Sequence, residues 1–171
     1  MPGIWHVFRI AVCSGVLCAW AGSVAGTAFA QEPSDPVVVF EKDDPVMAEA
    51  VANARSTLEN VLERVSTRAL PVEALQLKVA IPKDGGGNEN IWLDNVVRLD
   101  EATFEGLLAN VPKALPGRKQ GDRHRFSGDE ITDWMFVANG RIHGAYTLRV
   151  MLPRLPAEQA AQMRAMLAPL P

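Results

Sequence analysis

The stretch that decides the fold is KQGDRHRFSGDEITDWMFVANGRIHGAYTLRV, residues 119–150. Within it, Asn139-Gly140 separates two runs of β-forming residues. An Asn-Gly pair in this position is typical of a β-hairpin, because a type I′ turn needs positive φ at both central residues. We therefore predict two antiparallel strands joined at Asn139-Gly140, in a register that places Asp133 directly opposite Tyr146.

Alternation along these strands predicts two different faces, since neighbouring strand residues point to opposite sides of a sheet. The face expected to meet the core consists of Ile131, Asp133, Met135, Val137, Ile142, Gly144, Tyr146 and Leu148. The other face is mixed and consists of Thr132, Trp134, Phe136, Arg141, His143 and Thr147. A buried carboxylate is costly unless it is hydrogen-bonded. Two interpretations of Asp133 stay open: it accepts from the Tyr146 hydroxyl and holds a loop, or it faces a ligand at the mouth of a groove.

The rest of the chain predicts an α+β fold. Asp44-Pro45 is typical of a helix start, and apolar residues follow at three-to-four spacing for about six turns. Arg55 borders that apolar stripe, so we expect it to reach a carboxylate on the sheet. Further strands are predicted at 75–81, 91–99 and 103–109, a loop at 110–122 and a last helix at 157–167. We expect a curved antiparallel sheet of about five strands, packed against the long N-terminal helix, with a short C-terminal helix.

The N-terminus has the features of an export signal. A weakly basic start is followed by a mostly apolar run, and Ala28-Phe29-Ala30 offers a small-x-small cleavage pattern. We predict a signal peptide at 1–30, a linker at 31–44 with a short edge strand near Val37–Phe40, and a single domain at 45–168. The product would be periplasmic or secreted, with no stable membrane span after cleavage. An uncleaved anchor is the alternative.

Composition excludes several classes of function. Loss of the signal would remove both cysteines and leave 16 basic against 20 acidic residues, which argues against a nucleic-acid binder. The glycine-rich loop at 83–90 lacks the Gly-Lys-Ser/Thr ending of a phosphate-binding loop. His124 and His143 lack the spacing of a zinc site. We therefore predict no catalytic residue, no metal site and no cofactor.

Several segments resemble the bacterial domain-of-unknown-function 2314 family. The resemblance covers Ala54-Arg55 in the helix, Ile91-Trp92-Leu93, Lys119-Gln120-Gly121-Asp122 and, most specifically, Ile131-Thr132-Asp133-Trp134-Met135 followed by Gly144-Ala145-Tyr146-Thr147. It spans about 44–150. The resemblance implies a compact bacterial α+β domain that is often exported, and it implies no established activity.

These observations favour a binding or protein-interaction module that takes a protein or small-molecule ligand. The candidate binding residues are Asp133, Trp134, Tyr146, Lys119, Trp92 and His143. Trp134 and Trp92 are expected to share one face of the sheet and to offer a stacking surface there. The alternatives are a hydrolytic enzyme that uses Asp133 or His143 as its base, and a structural component of an envelope complex.

Overall fold

A computed structural model describes residues 44–71 and 75–171. The predicted signal peptide, the Val37–Phe40 strand and all but Asp44 of the predicted linker lie outside the described residues. The described chain has an α+β fold, as the sequence predicts. Its elements are α1 (Pro45–Ser66), β1 (Leu75–Pro82), β2 (Asn88–Arg98), β3 (Thr103–Leu108), β4 (Arg123–Ser127), β5 (Ile131–Ala138), β6 (Arg141–Gly144), α2 (Tyr146–Met151) and α3 (Ala157–Met166).

The strands form one antiparallel sheet in the order β4-β3-β2-β1-β5-β6. Six strands are present where the sequence predicted about five. The additional strand, β4, directly follows the predicted loop at 110–122 and contains Arg123, His124 and Arg125. Glu105 on the neighbouring strand β3 forms ion pairs with both Arg123 and Arg125.

Helix α1 covers one face of the sheet, as its apolar stripe predicts. The Asp44 side chain accepts from the backbone N–H groups of Val46 and Met47, and Pro45 occupies the first turn. Ala54, Leu58 and Val61 are buried against the sheet. Arg55 does not reach a carboxylate. Its guanidinium instead donates to the carbonyl oxygens of Ile131 at 2.7 Å and Asp129 at 2.6 Å. These hydrogen bonds join α1 to the start of β5.

The predicted hairpin turn is confirmed. Asn139 and Gly140 have φ values of 52° and 70°, as a type I′ turn requires. Ala138 pairs with Arg141, and Met135 pairs with Gly144.

The outer half of the predicted register is wrong, because β6 ends at Gly144 and the chain turns into α2. Tyr146 and Leu148 therefore lie in a helix, and neither pairs with β5. Gly144 and Ala145 both have positive φ, 74° and 53°, which ends the strand. A Cβ atom at Gly144 would overlap the carbonyl oxygen and the indole ring of Trp134. Only glycine fits this close approach of the two strands.

The assignment of the two sheet faces is also wrong for β5. Trp134 pairs with Leu77 and lies on the α1 side, whereas Asp133 pairs with Lys78 and lies on the opposite side. Phe136 and His143 share the α1 side with Trp134. A bulge between the pairs Lys78–Asp133 and Val79–Ile131 lets Ile131 and Trp134 both enter the core despite their three-residue spacing.

The C-terminal part builds a smaller core on the second side of the β5–β6 hairpin. Met135 and Ile142 pack there with Leu152 and Leu167. Ile142 forms a parallel bridge to Leu167, and its carbonyl oxygen accepts from Ala168 N–H at 2.8 Å. The free edge of β6 is thus covered by the chain that follows α3. Within residues 44–71 and 75–171, no helix has the length and apolarity needed to cross a membrane.

Candidate functional site

Asp133 is fully buried and accepts four hydrogen bonds. Its Oδ1 accepts from the backbone N–H groups of Trp134 at 2.8 Å and Tyr146 at 3.1 Å. Its Oδ2 accepts from the Thr147 N–H at 2.8 Å and the Thr147 hydroxyl at 2.6 Å. Two of these donors are the first N–H groups of α2, which have no partner within the helix. The strand thus supplies a capping carboxylate that the helix, which begins after Ala145, does not carry itself.

Lys78 joins this network through Thr147. The Lys78 ammonium donates to the Thr147 hydroxyl at 2.6 Å and lies 4.7 Å from the centre of the Trp92 ring. Burial lowers the pKa of Lys78, and the nearby Asp133 charge opposes that shift. The sequence did not single out Lys78 or Thr147 as site residues. In the strand predicted at 75–81, Lys78 lies between Leu77 and Val79, and this alternation indicates that its side chain faces away from the apolar side of the strand.

Tyr146 does not donate its hydroxyl to Asp133; only its backbone N–H does so. The Tyr146 hydroxyl and the Thr57 hydroxyl on α1 lie 3.1 Å apart and are hydrogen-bonded. Trp134 Nε1 donates to the Ala54 carbonyl oxygen at 3.0 Å and also lies 3.1 Å from the Thr57 hydroxyl. The Tyr146 and Trp134 rings meet edge to face, with centres 5.7 Å apart. Both side chains therefore anchor α1 to the sheet.

Three rings stack along the α1 side of the hairpin. Trp134 and Phe136 are nearly parallel, with centres 5.9 Å apart. Phe136 and His143 are also nearly parallel, with centres 4.7 Å apart. The Arg64 guanidinium of α1 lies 5.5 Å from the centre of Phe136. Trp134 and Phe136 are buried, whereas His143 is half-buried and Arg64 is exposed.

A groove of about 390 Å³ lies beside these rings, and we call it the α1–hairpin groove. Its walls come from α1, from the hairpin and from the chain after α3. The lining residues are Ser56, Thr57, Asn60, Val61, Arg64, Trp134, Phe136, His143, Pro169 and Pro171. No side chain among these ten residues is acidic. The groove thus combines hydrogen-bond donors at its rim with aromatic and proline walls, the composition expected of a small-molecule site.

The structure separates the six candidate residues into three places. Trp134 and His143 line the α1–hairpin groove, and Tyr146 lies behind it. Asp133 and Trp92 lie on the opposite side of the sheet, so the expected shared face of Trp92 and Trp134 is wrong. Lys119 is exposed in the loop before β4, where its backbone N–H donates to Asp122. Arg64 and Asn60, which complete the groove, were missed because a helix stripe alone does not reveal which polar positions meet a distant hairpin.

Asp133 and His143, the two titratable groups named as possible bases, do not come together in the structure. Every Asp133 oxygen already accepts two hydrogen bonds, and the carboxylate has no exposed surface. Asp133 and His143 lie on opposite sides of the sheet. Among the described residues, no group of three or more His, Cys, Asp or Glu side chains converges in a way that would hold a metal ion.

The amino-acid sequence of this chain is similar to those of two known proteins. Over 141 residues, the chain is 28% identical to the uncharacterised protein YegJ of Escherichia coli K12, which covers 82% of this chain and 90% of that protein. Over 80 residues, it is 32% identical to a putative ankyrin repeat protein of Neisseria meningitidis serogroup B, which covers 47% of this chain and 31% of that protein. No solved structure matches. The model of the family described as an uncharacterised protein conserved in bacteria, DUF2314, matches residues 44–167, and the chain belongs to this family.

Proposed function

We propose that this chain is an exported binding domain whose ligand site is the α1–hairpin groove. The observation that carries the proposal is the lining of the groove. Among the described residues, the side chains of Arg64, Asn60 and His143 have no hydrogen-bond partner, and no side chain of the groove lining is acidic. A volume of about 390 Å³ suits a small molecule or one side chain of a partner.

The network around Asp133 supports a binding role by holding the groove in shape. Asp133 fixes the start of α2, and Tyr146 at that start holds Thr57 of α1. Thr57 is itself a lining residue of the groove. A site held by several hydrogen bonds loses less conformational entropy when a ligand binds. Asp133 thus acts as a positioning residue two contacts away from the ligand.

A hydrolytic role has less support. A general base must come within hydrogen-bond reach of its proton. Asp133 has no exposed surface, and no carboxylate among residues 44–71 and 75–171 is hydrogen-bonded to His143 to orient it as a base. A protein-interaction role keeps specific support from the opposite side of the sheet, where Trp92 is half-buried and carries Lys78 against its ring.

Export is part of the proposal and has its own test. We expect cleavage after Ala30, which leaves Gln31 as the first residue. Intact-mass measurement of the protein recovered from a bacterial envelope fraction reads the N-terminus directly. A mass that retains residues 1–30 contradicts export by cleavage and favours the uncleaved anchor.

The site is tested by two-dimensional NMR of the isotope-labelled chain without residues 1–30, titrated with a library of small metabolites. We expect ligands to shift the resonances of Asn60, Arg64 and His143 together. Trp92 indole N–H is the internal control, because it reports the opposite side of the sheet. Ligands that shift Trp92 and leave the groove unchanged would move the site to that side. If no small molecule shifts either place but a protein partner binds the chain, the site is an interaction surface and not a small-molecule site.

A further inference from the structure

We infer that the α1–hairpin groove recognises a small anion whose carboxylate or phosphate is attached to a flat ring. The inference rests on the proposed function and names the chemical class of its ligand. Three features of the groove carry it: the free charge of Arg64, the ring ladder that ends at His143 and the two proline residues of the opposite wall.

Charge gives the first argument. None of the five ion pairs between described residues involves Arg64, so its guanidinium has no carboxylate partner within that part of the chain. A guanidinium presents planar, paired N–H groups that match the oxygens of a carboxylate or phosphate. Asn60 lies one helical turn before Arg64 on α1, so its amide is placed to donate beside it. A cationic ligand would meet the like charge of Arg64, and no side chain of this lining is acidic.

Ring geometry gives the second argument. The planes of Trp134 and Phe136 differ by 10°, and those of Phe136 and His143 differ by 4°. Trp134 and Phe136 are buried, so His143 is the partly exposed end of the ladder. A planar ligand that lies against His143 would continue the same stack. Offset stacking of aromatic rings contributes beyond the area that it buries.

The opposite wall limits the shape of the ligand. Pro169 and Pro171 line the groove and have no side-chain donor or acceptor. They give the groove rigid apolar surface beside the polar side chains of α1. A ligand with an anionic group for Arg64 and a flat apolar body for the prolines would use both kinds of surface.

The test uses the chain without residues 1–30 and indole-3-carboxylate as the probe, followed by NMR titration. Indole-3-carboxamide keeps the ring and removes the charge, and acetate keeps the charge and removes the ring. We expect the carboxylate to shift Asn60 and His143 and to bind about tenfold or more tightly than either comparison compound, since each lost contact corresponds to at least about that factor. Phenyl phosphate, which tests the other anionic group, is expected to shift the same residues.

Variants assign the contacts. Arg64→Gln is expected to weaken the affinity for the probe about tenfold or more. Lys119→Gln removes an exposed cation far from the groove and is expected to leave that affinity unchanged. His143→Phe should keep most of the affinity, whereas His143→Ala should lose it. Equal binding of carboxylate and carboxamide, or failure of both anions to shift the groove, overturns the inference. A neutral or cationic library compound that does shift the groove leaves the proposed site standing, so the two proposals fail separately.

Discussion

Asp133 is the residue whose role depends most on the three-dimensional structure. Its place in a strand of apolar residues predicted burial, and the structure confirms that the side chain is fully buried. Its partners were not predictable, because they depend on where β6 ends. The expected donor was the Tyr146 hydroxyl, whereas the actual donors are backbone N–H groups and Thr147. A carboxylate that caps a helix from a neighbouring strand leaves no local sequence signal.

Replacement of Asp133 tests this role. Asp133→Asn should cost about 3 kcal/mol or more, because it removes the countercharge of Lys78 and points an amide donor at other donors. Urea unfolding measures the loss. Asp94→Asn is the matched control, since Asp94 lies on the same side of the sheet, is half-buried and accepts from the Gln76 side chain. An Asp133→Asn cost no larger than that of the control would show that the acid does not hold α2.

Tyr146→Phe distinguishes the observed contact from the expected one. The hydroxyl bonds to Thr57, so its loss should cost about 0.5–1.5 kcal/mol, the usual value for one hydrogen bond. In a double-mutant cycle, Tyr146→Phe should couple to Thr57→Val by about 0.5 kcal/mol or more. Additive costs in that cycle would mean that the two hydroxyl groups contribute independently.

At the level of elements, local sequence was enough to predict a helix or a turn wherever capping or turn residues mark its position. Asp44-Pro45 and the three-to-four spacing predicted α1, and Asn139-Gly140 predicted the turn. Helix α2 was missed because its sequence, YTLRVM, is rich in residues that favour strands. The competing signal was Gly144, whose positive φ and close approach to Trp134 end β6.

Gly144→Ala therefore tests the junction between β6 and α2. The variant combines an unfavourable φ with an overlap between its methyl group and Trp134. Its loss of unfolding free energy should therefore be several times that of Gly117→Ala. Gly117 is the matched control, because its φ is 82° and a Cβ atom there meets nothing within 4 Å. Its cost should be about 1 kcal/mol, from backbone conformation alone. Equal losses in thermal unfolding would contradict the close contact.

For the whole molecule, the sequence predicted the fold class and missed one strand. No strand was predicted at residues 123–127, because arginine and histidine are weak strand signals. Two of these charges, on Arg123 and Arg125, are paired with Glu105 on the neighbouring strand β3, a contact that the sequence does not reveal. The candidate groove was beyond sequence reasoning for a related reason, since α1, the hairpin and the residues after α3 meet there from three separate parts of the chain.

The Glu105 ion pairs make the stability of the molecule depend on acidic pH. Hydrogen bonds from Arg123 and then Arg125 hold the pKa of Glu105 below its ordinary value. The stabilisation is therefore complete above that ordinary value and is lost as the pH falls through the lowered pKa. Glu105→Gln should lower the urea midpoint at pH 7, and the difference from the unmodified protein should shrink below about pH 4. Glu49→Gln, on the exposed side of α1, is the control, and a Glu105→Gln difference that does not change with pH would contradict the ion pairs.

The strand order has a consequence for how the sheet assembles. Strands β1 to β4 form one meander and β5–β6 form one hairpin, and each can form between neighbours in the sequence. The pairing of β1 with β5 alone joins these two parts of the sheet, and it brings together residues such as Lys78 and Thr132 that are 54 positions apart. Contacts between distant residues require the closure of a long loop and slow folding. The centre of the finished sheet is therefore expected to be the last part to form, and the groove, which needs α1 seated on β5, forms with it.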